Sequence, residues 1–241
     1  MSGKLRCTEE EFFHYIRCPI HYDTIYRRRF SPTAQITLAS CLQRVERRFY
    51  ASIIDLNLMT TGQIKKCWDG ICEKNQDILT PQKCIDGFGQ LMKMYRWAEK
   101  EELIVIDQSV PYTIGIPAKN GRRIEFSGHI DTIAVDKKKQ PYLLWMDFSN
   151  RYPLQSFLDM KLKITLDIMG MYEVYNRQVG AKIHHVKHDK DFFTFRKEED
   201  FNRVKTSIAN VVFAIENNVF YPRESTFCTS CDMLNYCRAW P

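Results

Sequence analysis

Hydrophobic and polar positions are organised most clearly between residues 123 and 149, where the pattern predicts a β-hairpin. Two β-rich runs, 123–135 and 141–148, flank a polar interruption of Asp136, Lys137, Lys138, Lys139 and Gln140. Apolar and aromatic residues on both sides argue for strands, and the charged, Pro-bounded interruption argues for a turn. Upstream, residues 8–29 read as helix. Thr8 and Glu11 form a capping box, Phe12, Tyr15 and Ile16 make an apolar face, and Pro19 breaks or restarts the helix after Cys18. Ser31-Pro32 marks a turn. Leu38, Leu42, Val45, Phe49 and Ile53 then recur at helical spacing, with Arg44, Arg47 and Arg48 on the opposite face. Residues 61–101 read as two helices divided at Thr80-Pro81, with Thr80 as the second cap. A strand over 103–116 follows, and Gly121 closes the next loop. Beyond the hairpin the pattern predicts a helix over 157–178, strands over 181–187 and 192–196, and a helix over 197–217 carrying Phe201, Val204, Ile208, Val211 and Ile215 on one face. No repeat or flexible linker interrupts the chain. The expectation is therefore a single α/β domain over 1–241, helical over about 33–101 and with its sheet core over about 102–196.

Composition narrows the class. Of 241 residues, 44% are hydrophobic and 27% charged, which gives ample core and excludes a disordered chain. No apolar run approaches the ~20 residues of a spanning helix, and no apolar leader opens the sequence. Nine cysteines without a secretory leader imply a reducing, cytoplasmic setting and metal ligation, not disulfides. Cys41, Cys67, Cys72 and Cys84 fall within helices and read as small core residues. A net charge of +6 and a pI near 8.8 permit an anionic polymer as partner.

Two features carry candidate chemistry. Asp131 and Asp147 each follow an apolar run on neighbouring strands. Such acids either share a hard cation or serve as hairpin surface charges and ion-pair partners. At the C-terminus, Cys228-x-x-Cys231 is followed by Cys237, giving three thiolates where a closed tetrahedral site needs four. Cys18 is the candidate fourth ligand and Cys7 the reserve. Four thiolates suit zinc or an iron–sulfur cluster equally.

Taken together, these motifs resemble the RecB-like branch of the PD-(D/E)XK nucleases, in particular its iron–sulfur-containing members, such as the AddB nuclease domain and the CRISPR-adaptation nucleases. The resemblance runs over the whole chain. It rests on Cys18-Pro19 ending an early helix, Gly128-His-Ile-Asp131, Asp147-Phe148-Ser149, a helix bearing Tyr172, and a final helix leading through 215–222 into CxxCx5C. It implies a restriction-endonuclease-like core with a central mixed β-sheet flanked by helices and an N-terminal helical region. It also implies chain ends stapled by a [4Fe–4S] cluster on Cys18, Cys228, Cys231 and Cys237, and Mg²⁺ or Mn²⁺ on Asp131 and Asp147. The implied activity is exonuclease-like cleavage of single-stranded DNA or DNA ends in replication, recombination or repair, with partner proteins of such a complex. Arg44, Arg47, Arg48 and Arg151 are the expected nucleic-acid contacts.

The departures are specific. The family's lysine, two residues after the second acid, is Ser149; its G-x-x-x-H stretch is Ala39–Gln43; the glutamine of its Q-x-x-x-Y helix is Ile168, while Tyr172 is kept. Ser149 can hydrogen-bond but has no charge, and Lys161 or Lys163 on the next helix can reach the same space. Two expectations follow, a nuclease with a rearranged site or a catalytically inactive nuclease fold acting in DNA binding or complex assembly, with a zinc-stapled regulatory protein without nucleic acid as a third option.

Overall fold

The computed structural model describes residues 5–29, 36–118, 121–231, 233–234 and 237, so the Ser31-Pro32 turn lies outside the described residues. Two compact units interleave along the chain. One comprises Met1–Gln35, Pro111–His129 and Lys197–Pro241, the other Ile36–Val110 and Ile130–Arg196.

The second unit is helices against sheet. Helix α3 (Leu38–Ile54) is capped by Thr37, whose hydroxyl accepts from the Ser40 N–H at 3.1 Å. Helix α4 (Thr61–Lys74) is capped by Thr60 and Gln63, and α5 (Pro81–Glu101) by Thr80 with Pro81 in its first turn. These caps satisfy N–H groups that a helix leaves without internal partners. Leu42, Val45, Phe49, Trp68, Leu91 and Met94 are buried among them, together with Ala134, Leu144, Met146 and Phe148 from the strands. Cys41 is buried in the same cluster, and Cys67, Cys72 and Cys84 pack against it, as expected of small core residues.

Strands β3 (Arg123–Val135) and β4 (Pro141–Asp147) form the predicted hairpin, registered from Ile133–Leu143 to Val135–Pro141. Its turn closes through Asp136 N–H to the Gln140 carbonyl at 3.0 Å, and the Asp136 carboxylate takes the N–H groups of Lys138 and Gln140. After β4 come α6 (Gln155–Asp159) and α7 (Leu162–Tyr175), then β5 (Ala181–His185), which lies parallel to β4 from Leu143–Ala181 to Asp147–His185. Strand β6 (Lys190–Thr194) returns antiparallel to β5. With β1 (Leu5–Thr8) and β2 (Ile104–Pro117) the sheet order is β1-β3-β4-β5-β6, β2 also pairing with β3. This is a mixed sheet flanked by helices.

One predicted helix, over 157–178, is two. The guanidinium of Arg196, 2% exposed, lies where they meet. Its Nη2 donates to the carbonyls of Leu158 (2.9 Å) and Lys161 (3.4 Å), and its Nε donates to the Thr165 hydroxyl (2.7 Å). A buried guanidinium must find acceptors, and it takes carbonyls at the end of α6 and the start of α7. The strands also shift: the run expected over 192–196 begins at Lys190 and ends at Thr194, and the one expected over 181–187 ends at His185.

In the first unit, β1 pairs parallel with the start of β3, from Leu5–Ile124 to Thr8–Ser127. It was not anticipated, being four residues long. The single helix expected over 8–29 is α1 (Glu9–Arg17), the extended residue Cys18, α2 (Pro19–Tyr22) and a wider turn over Asp23–Arg27. The Thr8–Glu11 capping box is present. Helix α8 (Glu198–Glu216) completes this unit. Gly128, the glycine of the G-x-x-D run, sits where a side chain would collide with the Tyr112 hydroxyl and the Glu9 carboxylate, which are themselves hydrogen-bonded at 3.2 Å.

Arg196→Met keeps the apolar stem but removes the guanidinium's hydrogen bonds to Leu158, Lys161 and Thr165, bonds to a charged group being worth about 1.5–3 kcal/mol each. Urea unfolding is expected to show a loss of about 3 kcal/mol or more.

Candidate active site

Side chains alternate across a strand, so Asp131 shares a face of β3 with Ile133, and Asp147 shares a face of β4 with Trp145 and Leu143. Ile133 and Leu143 are register partners, which puts both acids on the same face of the hairpin. The α6–α7 corner delivers two lysines to them. Lys161 stands over the Trp145 ring with its Nζ 4.5 Å from the centroid. Burial pushes its ammonium below the usual lysine range, while Asp147 and then Asp131 pull in the opposite direction. Lys163 bridges Asp131 at 3.7 Å and Asp167 at 2.5 Å. Asp167 is fully buried and also accepts from the Trp145 indole N–H at 3.3 Å. Two lysine ammoniums, one just before α7 and one in its first turn, therefore stand around the acids.

Position 149 has a different task. Its N–H donates to Asp147 Oδ1 at 2.9 Å, and its hydroxyl donates to the Arg151 carbonyl at 3.1 Å. The same carbonyl lies 3.0 Å from His185 Nε2. A carbonyl only accepts, so that nitrogen carries the proton; the other, Nδ1, takes the His188 N–H at 3.3 Å. His185 is the register partner of Asp147 and ties down the loop that holds it.

Glu46 went unnoticed in the sequence because it interrupts the arginine run on α3. Its carboxyl points inward, is buried, and is pushed up to about 8 by burial first, the nearby Asp131 charge adding to the rise and the Tyr50 hydroxyl opposing it. The only available signal was its place one residue after Val45 on the apolar stripe. Tyr172 is more than half exposed on α7, and Ile168 is buried. No interaction joins Tyr172 to either acid among the described contacts. Arg44, Arg47 and Arg48 line a groove with α4, and Arg151 is exposed in the loop after Asp147.

Two aspartates suit a small hard cation, since magnesium is commonly held by one or two carboxylates with water and substrate phosphate completing its shell. Asp131 is partly exposed, and the Ser149 N–H contact engages only the Oδ1 atom of Asp147. Among the described residues no three His, Cys, Asp or Glu side chains meet as a metal-ligand group.

The cysteine segment belongs to the first unit. Arg17 lies over the Phe227 ring at 4.6 Å, His21 meets that ring edge-on at 5.6 Å, and Arg223 donates to the Ile16 carbonyl. These contacts lay the segment entering Cys228 against the segment bearing Cys18. Cys18, Cys228, Cys231 and Cys237 are half-buried, and among the described residues they are not assembled as a metal-ligand group. Cys7 is buried in β1, and burial, with Glu11 adding to it, pushes its thiol up to about 12. Ligation requires thiolate, so Cys7 is the poorer donor.

No protein-family model matches the chain, and no curated protein matches it. Among solved structures, the crystal structure of a "putative exonuclease" from Eubacterium rectale is similar over 96% of this chain and 87% of that one, with a TM-score of 0.57 and 10% identity. The crystal structure of SSO0001 aligns over 99% and 88%, with a TM-score of 0.45 and 11% identity. The first likeness shows the fold alone: the mixed sheet and its flanking helices follow the architecture of that structure. No described helix is long and apolar enough to cross a membrane.

The Glu46 carboxyl titrates near 4.5 when unfolded and near 8 when folded, so between those values the folded protein holds an extra proton. Stability therefore falls as pH rises through that window. Urea midpoints measured in chelator at pH 5 and pH 8 are expected to show this decline, and Glu46→Gln to flatten it.

Proposed function

We propose that the chain is a metal-dependent nuclease of the RecB-like PD-(D/E)XK kind, with its catalytic lysine supplied by α7. The observation that carries this reading is Lys161, set over Trp145 and within the field of both Asp131 and Asp147. Asp131 and Asp147 would hold the cation, which supplies charge neutralisation at the scissile phosphate and acidifies water. Lys161, partly desolvated, offers an ammonium beside that position without needing position 149. Its burial strengthens each electrostatic contact it makes there. Lys163, bound to the buried Asp167, holds Asp131 in place. The Ser149 N–H and the His185-anchored loop fix the Asp147 rotamer. Glu46, kept protonated at neutral pH by burial, spares the site a further negative charge.

The likeness to a nuclease-like fold supports DNA as the substrate class, with single strands or ends as the form processed in replication, recombination or repair. The reading in which the fold binds DNA or assembles a complex without cleaving it draws on one observation, the occupation of position 149 by a serine engaged in a local turn. On a labelled single-stranded oligonucleotide with Mg²⁺ or Mn²⁺, the wild-type chain is expected to cleave. Lys161→Met is expected to lose ~10²–10³ in rate, the usual cost of one preorganised electrostatic group. Asp147→Asn should abolish cleavage. Cleavage by Lys161→Met at the wild-type rate would remove the lysine from the mechanism, and an inert wild type would leave the binding reading.

We also propose a [4Fe–4S] cluster on Cys18, Cys228, Cys231 and Cys237, supported by the thiol set and by the packing of Phe227 and Arg223 on the Cys18 segment. Such a cluster would stiffen the chain ends, since binding free energy becomes folding free energy. Protein purified without oxygen is expected to be brown with roughly four irons per chain. Cys228→Ser should lose that iron, and colourless protein with stoichiometric zinc would assign the site to zinc instead.

A further inference from the structure

We infer that the groove between α3 and α4 is the track on which a nucleic-acid strand lies by its phosphodiester backbone, a proposal that rests on the nuclease reading. The groove encloses about 760 Å³ and takes cations from both helices: Arg44, Arg47 and Arg48 from α3, Lys66 and Lys74 from α4. Its other lining residues are Gln63, Cys67, Gly70, Ile71 and Asn75, so among the described residues no acid lines it. Like charges held around one concavity repel one another in the free protein and favour a polyanion that enters it. Helix α4 does pair a lysine with an acid elsewhere, Lys65 with Asp69 at 2.6 Å. Lys66 and Lys74 have no such partner among the described contacts.

The floor of the groove is shaped as well as charged. Gly70 lies one turn from both Lys66 and Lys74, and a Cβ there would meet nothing within 4 Å. Glycine inside a helix is unfavourable relative to alanine, and here its bare backbone keeps the space between the two lysines open. Arg48 donates to Cys67 Sγ at 2.9 Å, which steadies it across that floor. Among the described residues no aromatic ring lines the groove, so they offer no platform for stacked bases. Cations without stacking or base-edge groups position a strand and read no sequence. Helix α3 links the track to the chemistry. Its outer face carries the arginines, and its inner face carries Glu46, which lies within the field of Asp131.

The test is binding of a labelled oligothymidylate in chelator, so that no cleavage occurs. Lys66→Glu with Lys74→Glu should weaken binding tenfold or more and reduce the salt slope by about 1.4, two contacts at about 0.7 each. Lys100→Glu with Lys138→Glu, two exposed lysines outside the groove, makes the same change in net charge and should retain the slope. Gly70→Leu leaves the charge unaltered and should weaken binding several-fold by filling the floor, with helix content by circular dichroism unchanged. Equal binding by the two double variants, or wild-type binding by Gly70→Leu, would overturn the track. Competition by polyglutamate as strong as by the oligonucleotide would reduce the groove to a general polyanion patch and overturn it too. Because binding is read without metal, an inert protein that binds through the groove sinks only the nuclease reading. An active one with normal groove-variant binding sinks only the track.

Discussion

Burying the Arg196 guanidinium is the constraint on which the site depends. A charge taken out of water must be met by acceptors on every side, and here they are the Thr165 hydroxyl and the carbonyls of Leu158 and Lys161. Those carbonyls come from the end of one helix and the start of the next. The chain turns a corner at residues 160–161, and Lys161 leaves that corner over Trp145. Had the helix run straight from 157 to 178, the lysine would have been set by helical spacing alone. Residue 196, far from the acids in sequence, thus governs where the ammonium beside them sits.

Charge within the site is balanced locally. Lys163 answers Asp167 and Asp131, Lys161 feels Asp147 and Asp131, and Glu46 avoids adding to the negative charge by holding its proton. Uncompensated, several carboxylates so close together would raise one another's affinity for protons and weaken their hold on a cation. Lys163 and Lys161 set positive charge beside Asp131 and Asp147. Under the proposed function, fixed cations so placed would meet the negative charge that builds at a reacting phosphate, where they are worth more than in water.

Helix α3 illustrates how one element can serve packing, electrostatics and binding together. Leu42, Val45 and Phe49 fix its inner face in the core, which fixes its outward arginines by default. Glu46 lies beside Val45 on the buried side, where no solvent can hydrate its charge.

The sequence by itself determined the elements whose signals are local. Capping residues at Thr8 and Thr80, the apolar period of α3 and the charged turn at 136–140 each set a boundary that the folded chain keeps. The apolar runs of β3 and β4 also made Asp131 and Asp147 legible as acids delivered by neighbouring strands. Tertiary structure decided the rest, because it turns on partners distant in sequence. Strand β1 is too short to declare itself and exists through pairing with β3. The α6–α7 corner depends on a guanidinium some 35 residues away. Glu46 reads as one more charge in a polar run until burial raises its proton affinity. Ser149 reads as a lost lysine until α7 brings Lys161 toward the acids. Local sequence fixes hydrogen-bonding and periodicity within a few residues, whereas desolvation and Coulomb fields are set by whatever the fold brings near.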